Sequence, residues 1–154
     1  MPETTWNVLT VDDLDVRTLH EVLRLRSEVF VVEQDCAYQD VDGADLAPGT
    51  LHVIGWRGDE SVAAYARVLE PDAERPSPRI GRVLTAPTAR GLSLGREAVR
   101  RAIAVCEGRW PDRPITLEAQ AHLRAFYESL GFAVRGEGYV EDGIAHLPMR
   151  RDLR

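Results

Sequence analysis

Arg79-Ile-Gly-Arg-Val-Leu-Thr-Ala-Pro-Thr-Ala-Arg-Gly-Leu-Ser-Leu-Gly-Arg96 reads as a strand, a proline-stopped turn, a small-residue loop and the start of a helix. The strand spans Arg79 to Thr85 and stops before Pro87, because a residue that precedes proline is pushed away from helical and toward extended backbone. From Leu94 onward, apolar positions at Ala98, Ala102, Val105 and Cys106 mark a helix ending near Gly108. A loop that feeds a helix in this way leaves the first backbone N–H groups unpaired, at the positive end of the helix dipole. Such an end suits a phosphate, and Arg90 and Arg96 add full charges beside it. A plainer alternative is that Gly91 and Gly95 only permit a turn and a close approach of the helix. Two other phosphate loops are excluded, since no Gly-Lys-Ser/Thr occurs and no GxGxxG follows the first strand.

Upstream, Leu51 to Trp56 and Ser61 to Leu69 are rich in Val, Ile, Trp and Tyr, and Arg57-Gly58-Asp59-Glu60 supplies the turn of a hairpin. Thr4 to Leu9 reads as a first strand, and Thr10 with Asp13 forms a capping box. Val16, Leu19, Leu23 and Phe30 then recur near helical spacing and predict a helix from about Asp12 to Phe30. The polar stretch from Asp35 to Gly49 is a loop. Downstream, Ile115 to Leu117 is a short strand, and Leu123, Phe126, Tyr127 and Leu130 are the apolar face of a helix closed by Gly131. Asp142-Gly143 between Tyr139-Val140 and Ile144 to Met149 is a strong signal for a tight hairpin. The order β-α-β-β-β-α-β-α-β-β predicts an α/β (α+β) fold with a mixed sheet of about seven strands flanked by helices.

With 154 residues, 44% hydrophobic and 29% charged, the chain reads as one globular domain over residues 1–154. No apolar run reaches the roughly 20 residues of a membrane span, and the acidic start lacks a signal peptide's basic region, so a cytoplasmic protein is expected. Cys36 and Cys106 have no partner at metal-binding or disulfide spacing, and no metal is expected. A net charge of −6 argues against nucleic acid as a partner. The average hides an asymmetry: residues 79–109 hold seven arginines against Glu97 and Glu107, a local +5 that leaves −11 for the rest. In that remainder Glu33, Asp35, Asp40, Asp42 and Asp45 form a run with no basic residue. One region suits an anion and the other a cation.

Gln120-Ala-His-Leu-Arg-Ala-Phe-Tyr-Glu-Ser-Leu-Gly-Phe132 supplies the second motif. Together the two resemble the GNAT N-acetyltransferase family. Arg90-Gly-Leu-Ser-Leu-Gly95 matches its Arg/Gln-x-x-Gly-x-Gly/Ala pyrophosphate loop, and Tyr127 to Phe132 match its Tyr-x-x-x-Gly-Phe helix. Leu25-Arg-Ser-Glu-Val-Phe-Val-Val-Glu-Gln34, Tyr38-Gln-Asp-Val-Asp-Gly43, Glu118-Ala-Gln-Ala-His122 and Glu141-Asp-Gly-Ile-Ala-His146 resemble the ElaA-like branch. The match covers nearly the whole chain. The resemblance implies the GNAT acyl-CoA N-acyltransferase fold, acetyl-CoA as cosubstrate and a small-molecule or peptide amine as acceptor. It further implies that backbone groups of Val83, Leu84 and Thr85 hold the pantetheine arm. Arg90 and the amides of Gly91, Leu92, Ser93, Leu94, Gly95 and Arg96 would cradle the pyrophosphate, and Tyr127 would stand near the thioester sulfur. Three positions depart from the pattern. Ser93 replaces the middle glycine, which is compatible with the loop where that residue keeps a negative φ. Gln120 and Leu123 stand where many members have Asn and Ala.

Acetyl transfer needs a neutral amine, a polarised carbonyl and a proton for the departing thiolate. The phenol of Tyr127 is the candidate donor, or else a core aromatic. Glu33, Glu118 and His122 are candidate bases. His122 lies at a helix start, where the dipole disfavours its charged form, and its alternative role is to cap that helix. Glu118 could equally be a solvated or paired carboxylate. Glu33 and the acidic run are candidates for binding a cationic acceptor, or form a solvated loop. Two rival functions remain open: a non-catalytic acyl-CoA sensor, and an acyl-homoserine-lactone-synthase-like enzyme, whose start Arg26-Ser-Glu-Val-Phe-Val-Val-Glu-Gln34 resembles. Nothing in the sequence fixes the oligomeric state, and a homodimer is left open.

Overall fold

The computed structural model describes residues 3–58 and 61–153. Among them, eight strands form one sheet: β1 (Thr4–Thr10), β2 (Leu51–Arg57), β3 (Ser61–Leu69), β4 (Arg79–Thr85), β5 (Ile115–Gln120), β6 (Ala133–Val134), β7 (Tyr139–Glu141) and β8 (Ile144–Arg151). Three α-helices join them: α1 (Val16–Arg26), α2 (Leu94–Arg109) and α3 (Arg124–Glu128). The sheet order is β1-β2-β3-β4-β5-β8-β6, with β7 also paired to β8. Every pairing is antiparallel except that of β4 with β5. The mixed α/β class is as the sequence predicts, with eight strands in place of about seven. The added strand, β6, is two residues long and too short to carry a periodic signal.

β3 is buried without interruption from Val62 to Val68, which requires cover on both faces of the sheet. α1 lies over the face carrying Tyr65, where the Arg26 guanidinium sits 5.9 Å from the ring centre. α2 buries Ala98, Val99, Ala102 and Cys106 against the sheet, a stripe at helical spacing. Burial at Cys106 pushes its thiol up to about 12, so it packs as an inert small apolar group.

The first helix departs from the predicted Asp12–Phe30. Asp13 accepts from the Thr10 hydroxyl at 2.9 Å and from its N–H at 3.4 Å, but that box closes a single 3-10 turn, Val11–Asp13. α1 begins afresh at Val16, capped by Asp15, whose carboxylate accepts from the Thr18 N–H at 2.7 Å. Its buried face is Val22, Leu25 and Arg26, whereas Val16 is 84% exposed. Beyond Arg26 the chain widens into a π-helix, Ser27–Glu33, seen in the Gln34 N–H to Val29 carbonyl bond at 3.2 Å. Val29 and Gln34, five residues apart, therefore face the same side. The β2–β3 connection predicted at residues 57–60 is described as far as Gly58, which has φ +68, while Asp59 and Glu60 lie outside the described residues.

Candidate active site

β4 and β5 are paired at one position only, Arg79 with Thr116, and then diverge. The separation leaves the β5-facing edge of β4 without a ladder and opens a cleft of about 510 Å3 between the strands. A bulge sharpens the divergence. Leu84 pairs with Tyr65 and Gly81 with Arg67, so Arg82 and Val83 together oppose Ala66, and Arg82 takes φ +52. Val83, Leu84 and Thr85 line the cleft.

Thr85 leads through a short turn into the loop before α2. Gly91 has φ +86, a left-handed conformation that glycine adopts without steric cost. A Cβ on Gly95 would lie 3.0 Å from the Thr85 hydroxyl oxygen, so its absence lets α2 start hard against the end of β4. Ser93 corrects the expectation of a negative φ: it sits at φ 58, ψ 26, directly before the helix. Leu94, buried just after it, fixes the helix start and holds Ser93 in that conformation. The Ser93 side chain does not cap α2, which leaves the first-turn N–H groups of a 16-residue helix free for a ligand. They border a second hollow of about 360 Å3, bounded by Thr85, Gly91, Ser93, Arg96 and Phe126 among others.

The two loop arginines are engaged. Arg90 donates to both Glu33 carboxylate oxygens, at 2.5 and 2.9 Å, which holds the Glu33 carboxyl below its usual range. Glu33 itself does not line the cleft; it touches the rim through Arg90, which does. Arg96 donates to the Ser129 hydroxyl at 2.7 Å and so ties α2 to the end of α3.

Tyr127 lies on α3 with its ring edge-on to Phe126 and Phe132, at centroid distances of 5.0 and 6.0 Å. Burial pushes its phenol up to about 12. Its hydroxyl makes no hydrogen bond among the described residues, and the residue lines the cleft. Glu118 and His122 line it too. The Glu118 carboxylate accepts from the Tyr139 hydroxyl at 2.8 Å, and His122 is exposed on a 3-10 turn, Ala121–Leu123. Two further groups carried no role in the sequence reading. Cys36 donates its S–H to the Asp142 carbonyl at 3.2 Å, tying the chain after the π-helix to the β7–β8 turn. His146, on β8, lines the cleft beside Tyr139. Neither is signalled by local spacing, because each meets its neighbours only when β8 folds back beside β5.

The acidic run is not a free cation-attracting surface. Arg26, wholly buried, donates to Asp40 at 2.9 Å and to Asp45 at 2.5 Å. Arg67 forks onto Asp42 at 2.9 and 3.1 Å and reaches Asp45 at 3.1 Å. Arg82 reaches Asp42 at 3.2 Å and lies 2.9 Å from Asp40, there at an angle too poor for a hydrogen bond. Burial pushes Asp42 upward, but the bonds from Arg67 prevail and hold it at about 2. Tyr38 donates to Asp40 at 3.0 Å under the Arg82 guanidinium, which brings this network up to the cleft wall. Three aspartates thus neutralise three arginines, and the loop is fastened to α1, β3 and β4.

This arrangement can bind an extended acyl thioester along β4, with its phosphates at the start of α2 and its reactive end near Tyr127. Known proteins with the same features were found by comparison. The family model described as "Acetyltransferase (GNAT) domain" matches residues 19–153. Protein ElaA of Escherichia coli (strain K12) is 45% identical over 148 residues, 96% of each chain. Its crystal structure superposes with a TM-score of 0.92 at 41% identity, covering 97% of this chain and 100% of that one. An acyl-CoA N-acyltransferase from Pseudomonas aeruginosa gives 0.90 at 44% identity, covering 96% and 99%. A CoA-dependent acyl-homoserine lactone synthase shares the fold, with a TM-score of 0.75 at 15% identity over 99% of this chain and 84% of that one. Among the described residues no helix is long and apolar enough to cross a membrane. The chain is an acyltransferase that uses acyl-CoA, and it belongs to the GNAT acetyltransferase family, in its ElaA-like branch.

Proposed function

We propose that residues 1–154 work as one domain that transfers an acetyl group from acetyl-CoA to a cationic amine by direct attack, in the cytoplasm. One observation supports this reading: the free edge of β4 runs into an uncapped α2 N-terminus, beside a buried tyrosine that lines the cleft and whose hydroxyl makes no hydrogen bond among the described residues. The edge of Val83 to Thr85 offers strand-like pairing to the pantetheine amides. The N–H groups from Gly91 to Arg96 receive the pyrophosphate, and Arg90 adds charge.

Tyr127 acts as general acid. Its raised pKa keeps the phenol protonated across the working pH range, so a proton is always available to the leaving thiolate. Glu118 and His122 stand on the acceptor side, with Glu141 and Asp142 of the β7–β8 hairpin supplying negative charge. Glu33 is retained as a contact for the acceptor at the rim, where it also sets the position of Arg90.

Calorimetric titration with coenzyme A, followed by a panel of amines with acetyl-CoA and thiol detection, tests this reading. Binding of coenzyme A, together with thiol release that is faster for cationic amines, is expected. Absence of any binding heat would sink it. Release with longer acyl-CoAs but not with acetyl-CoA would remove the acetyl assignment alone.

A further inference from the structure

Glu118, Tyr139 and His146 form a connected group on the acceptor wall. Tyr139 donates to Glu118 at 2.8 Å, and its ring stacks on the His146 imidazole, with centroids 5.6 Å apart and planes 14° from parallel. The pairing of strands sets this up: on β8, His146 stands opposite Tyr139 of β7 on one side and Gln120 of β5 on the other. His146 Nδ1 lies 2.8 Å from the Ile144 carbonyl oxygen. A carbonyl can only accept, so Nδ1 carries the proton and the lone pair of the neutral ring is on Nε2. Nε2 makes no hydrogen bond among the described residues.

We propose that His146 is the general base toward the acceptor amine, with Tyr139 and Glu118 as the positioning residues that hold its ring. This rests on the acyl-transfer reading above and replaces the choice among Glu33, Glu118 and His122, of which Glu33 lies outside the cleft with both oxygens held by Arg90. A base must be oriented by a third group, and the three candidates differ in this. The His146 ring is fixed by a hydrogen bond and a stack. Among the described residues the His122 ring has neither, and Glu118 spends one oxygen on Tyr139. The titratable and charged groups that line the cleft with His146 are Glu118, His122, Glu141 and Asp142, Arg82 and Arg90 on the β4 side, and Cys36, Tyr38 and Tyr127; Tyr139 meets the ring through the stack.

The reaction balances as follows. His146 Nε2 takes a proton from the ammonium, and the freed lone pair forms the C–N bond to the thioester carbonyl carbon. The C–S bond then breaks, its electron pair leaves with sulfur, and the sulfur takes the Tyr127 proton. The surplus proton on the new amide nitrogen returns to Tyr127, and His146 releases its own to solvent. The products are an amide, a free thiol and one proton.

The test compares His146→Gln with wild type in coenzyme A titration and in the pH dependence of kcat/KM with the best amine of the panel. The expected result is unchanged coenzyme A binding, a fall in kcat/KM of about 10²-fold or more near neutral pH, and loss of the acidic limb. Persistence of that limb, with kcat/KM near wild type, overturns the proposal. Absence of coenzyme A binding to wild type overturns the acyl-transfer reading and this proposal with it. A second measurement does not depend on whether the variant folds: long-range proton–nitrogen NMR of the intact wild-type protein. The Nδ1–H tautomer supports the assignment, and an Nε2–H tautomer overturns it. Tyr139→Phe keeps the stack and should keep the acidic limb, whereas Tyr139→Ala should lower kcat more than it changes KM. The reverse order would give Tyr139 no positioning role.

Discussion

At Tyr127, burial alone decides the chemistry, since no charged group contributes to the rise of its pKa to about 12. A phenol with that value is a poor base and a persistent acid at neutral pH. Tyr127→Phe keeps the ring contacts with Phe126 and Phe132, and it should lower kcat by about 10²-fold while leaving coenzyme A affinity unchanged. Steady-state kinetics alongside calorimetry would separate the two effects, and an unchanged kcat would remove the acid role. The same shift has a stability sign. A group whose folded pKa lies above its unfolded value of 10 stabilises the fold below pH 10, and that contribution disappears between pH 10 and 12. Tyr127→Phe should therefore be less sensitive than wild type to alkaline unfolding in that window. Tyr127 was legible in the sequence because helical spacing and the Gly131-Phe132 ending frame it. His146 carries no signal of its own in the sequence, since its hydrogen bond and its stack exist only once three strands have come together.

The helix α2 shows what a single left-handed residue does at the start of an element. Holding a non-glycine residue there costs about 1–2 kcal/mol, and serine bears it at Ser93. Ser93→Gly relieves that strain but adds about 0.5–1 kcal/mol of chain entropy to be lost, so a small rise in melting temperature with retained coenzyme A affinity is expected. Ser93→Val should do the opposite, because a β-branched residue is a far rarer occupant of this region. Its amides would turn away from the phosphate site, and a loss of about 1.4 kcal/mol would appear in calorimetry as tenfold weaker binding. Equal affinity in Ser93→Gly, Ser93→Val and wild type would mean that the loop does not hold the cosubstrate. Elements with a plain period were read correctly from the sequence: β3 and β4 begin and end where their apolar runs and the following proline require. The π-helix was not, because Phe30 continues the apolar spacing of α1 into Ser27–Glu33; within α1 the buried face is Val22, Leu25 and Arg26, where the spacing points to Val16, Leu19 and Leu23. A charged residue at 0% exposure defeats any reading by hydrophobic pattern, and its counter-charges stand 14 and 19 residues away.

Across the whole molecule, the acidic run of the sequence turns out to be largely an internal matter. The acids between Asp40 and Asp45 are spent on Arg26, Arg67 and Arg82, and with them the loop closes over the back of the bulge in β4. His52 lies against this network. Its Nε2 is 3.0 Å from the Asp45 carbonyl and so carries the proton, while Nδ1 accepts from the Tyr65 hydroxyl at 2.6 Å. Burial lowers the His52 pKa below 6.5, so on acidification the unfolded chain takes up a proton before the folded one does, and stability falls as pH drops below 6.5. Asp42, held at about 2, and Asp45, also lowered, act later: their contribution is complete above the unfolded value of 3.8 and is lost as pH falls toward 2. Urea unfolding at stepped pH should therefore show two stages of acid destabilisation. His52→Gln should flatten the first and leave the second. Asp45→Asn should flatten part of the second and, by leaving Arg26 and Arg67 buried with a missing counter-charge, cost about 3–5 kcal/mol at neutral pH. An Asp45→Asn protein with wild-type stability and an unchanged acid profile would show that the network does not hold the loop to the sheet, and that the shape of the cleft wall at Tyr38 and Arg82 has another cause.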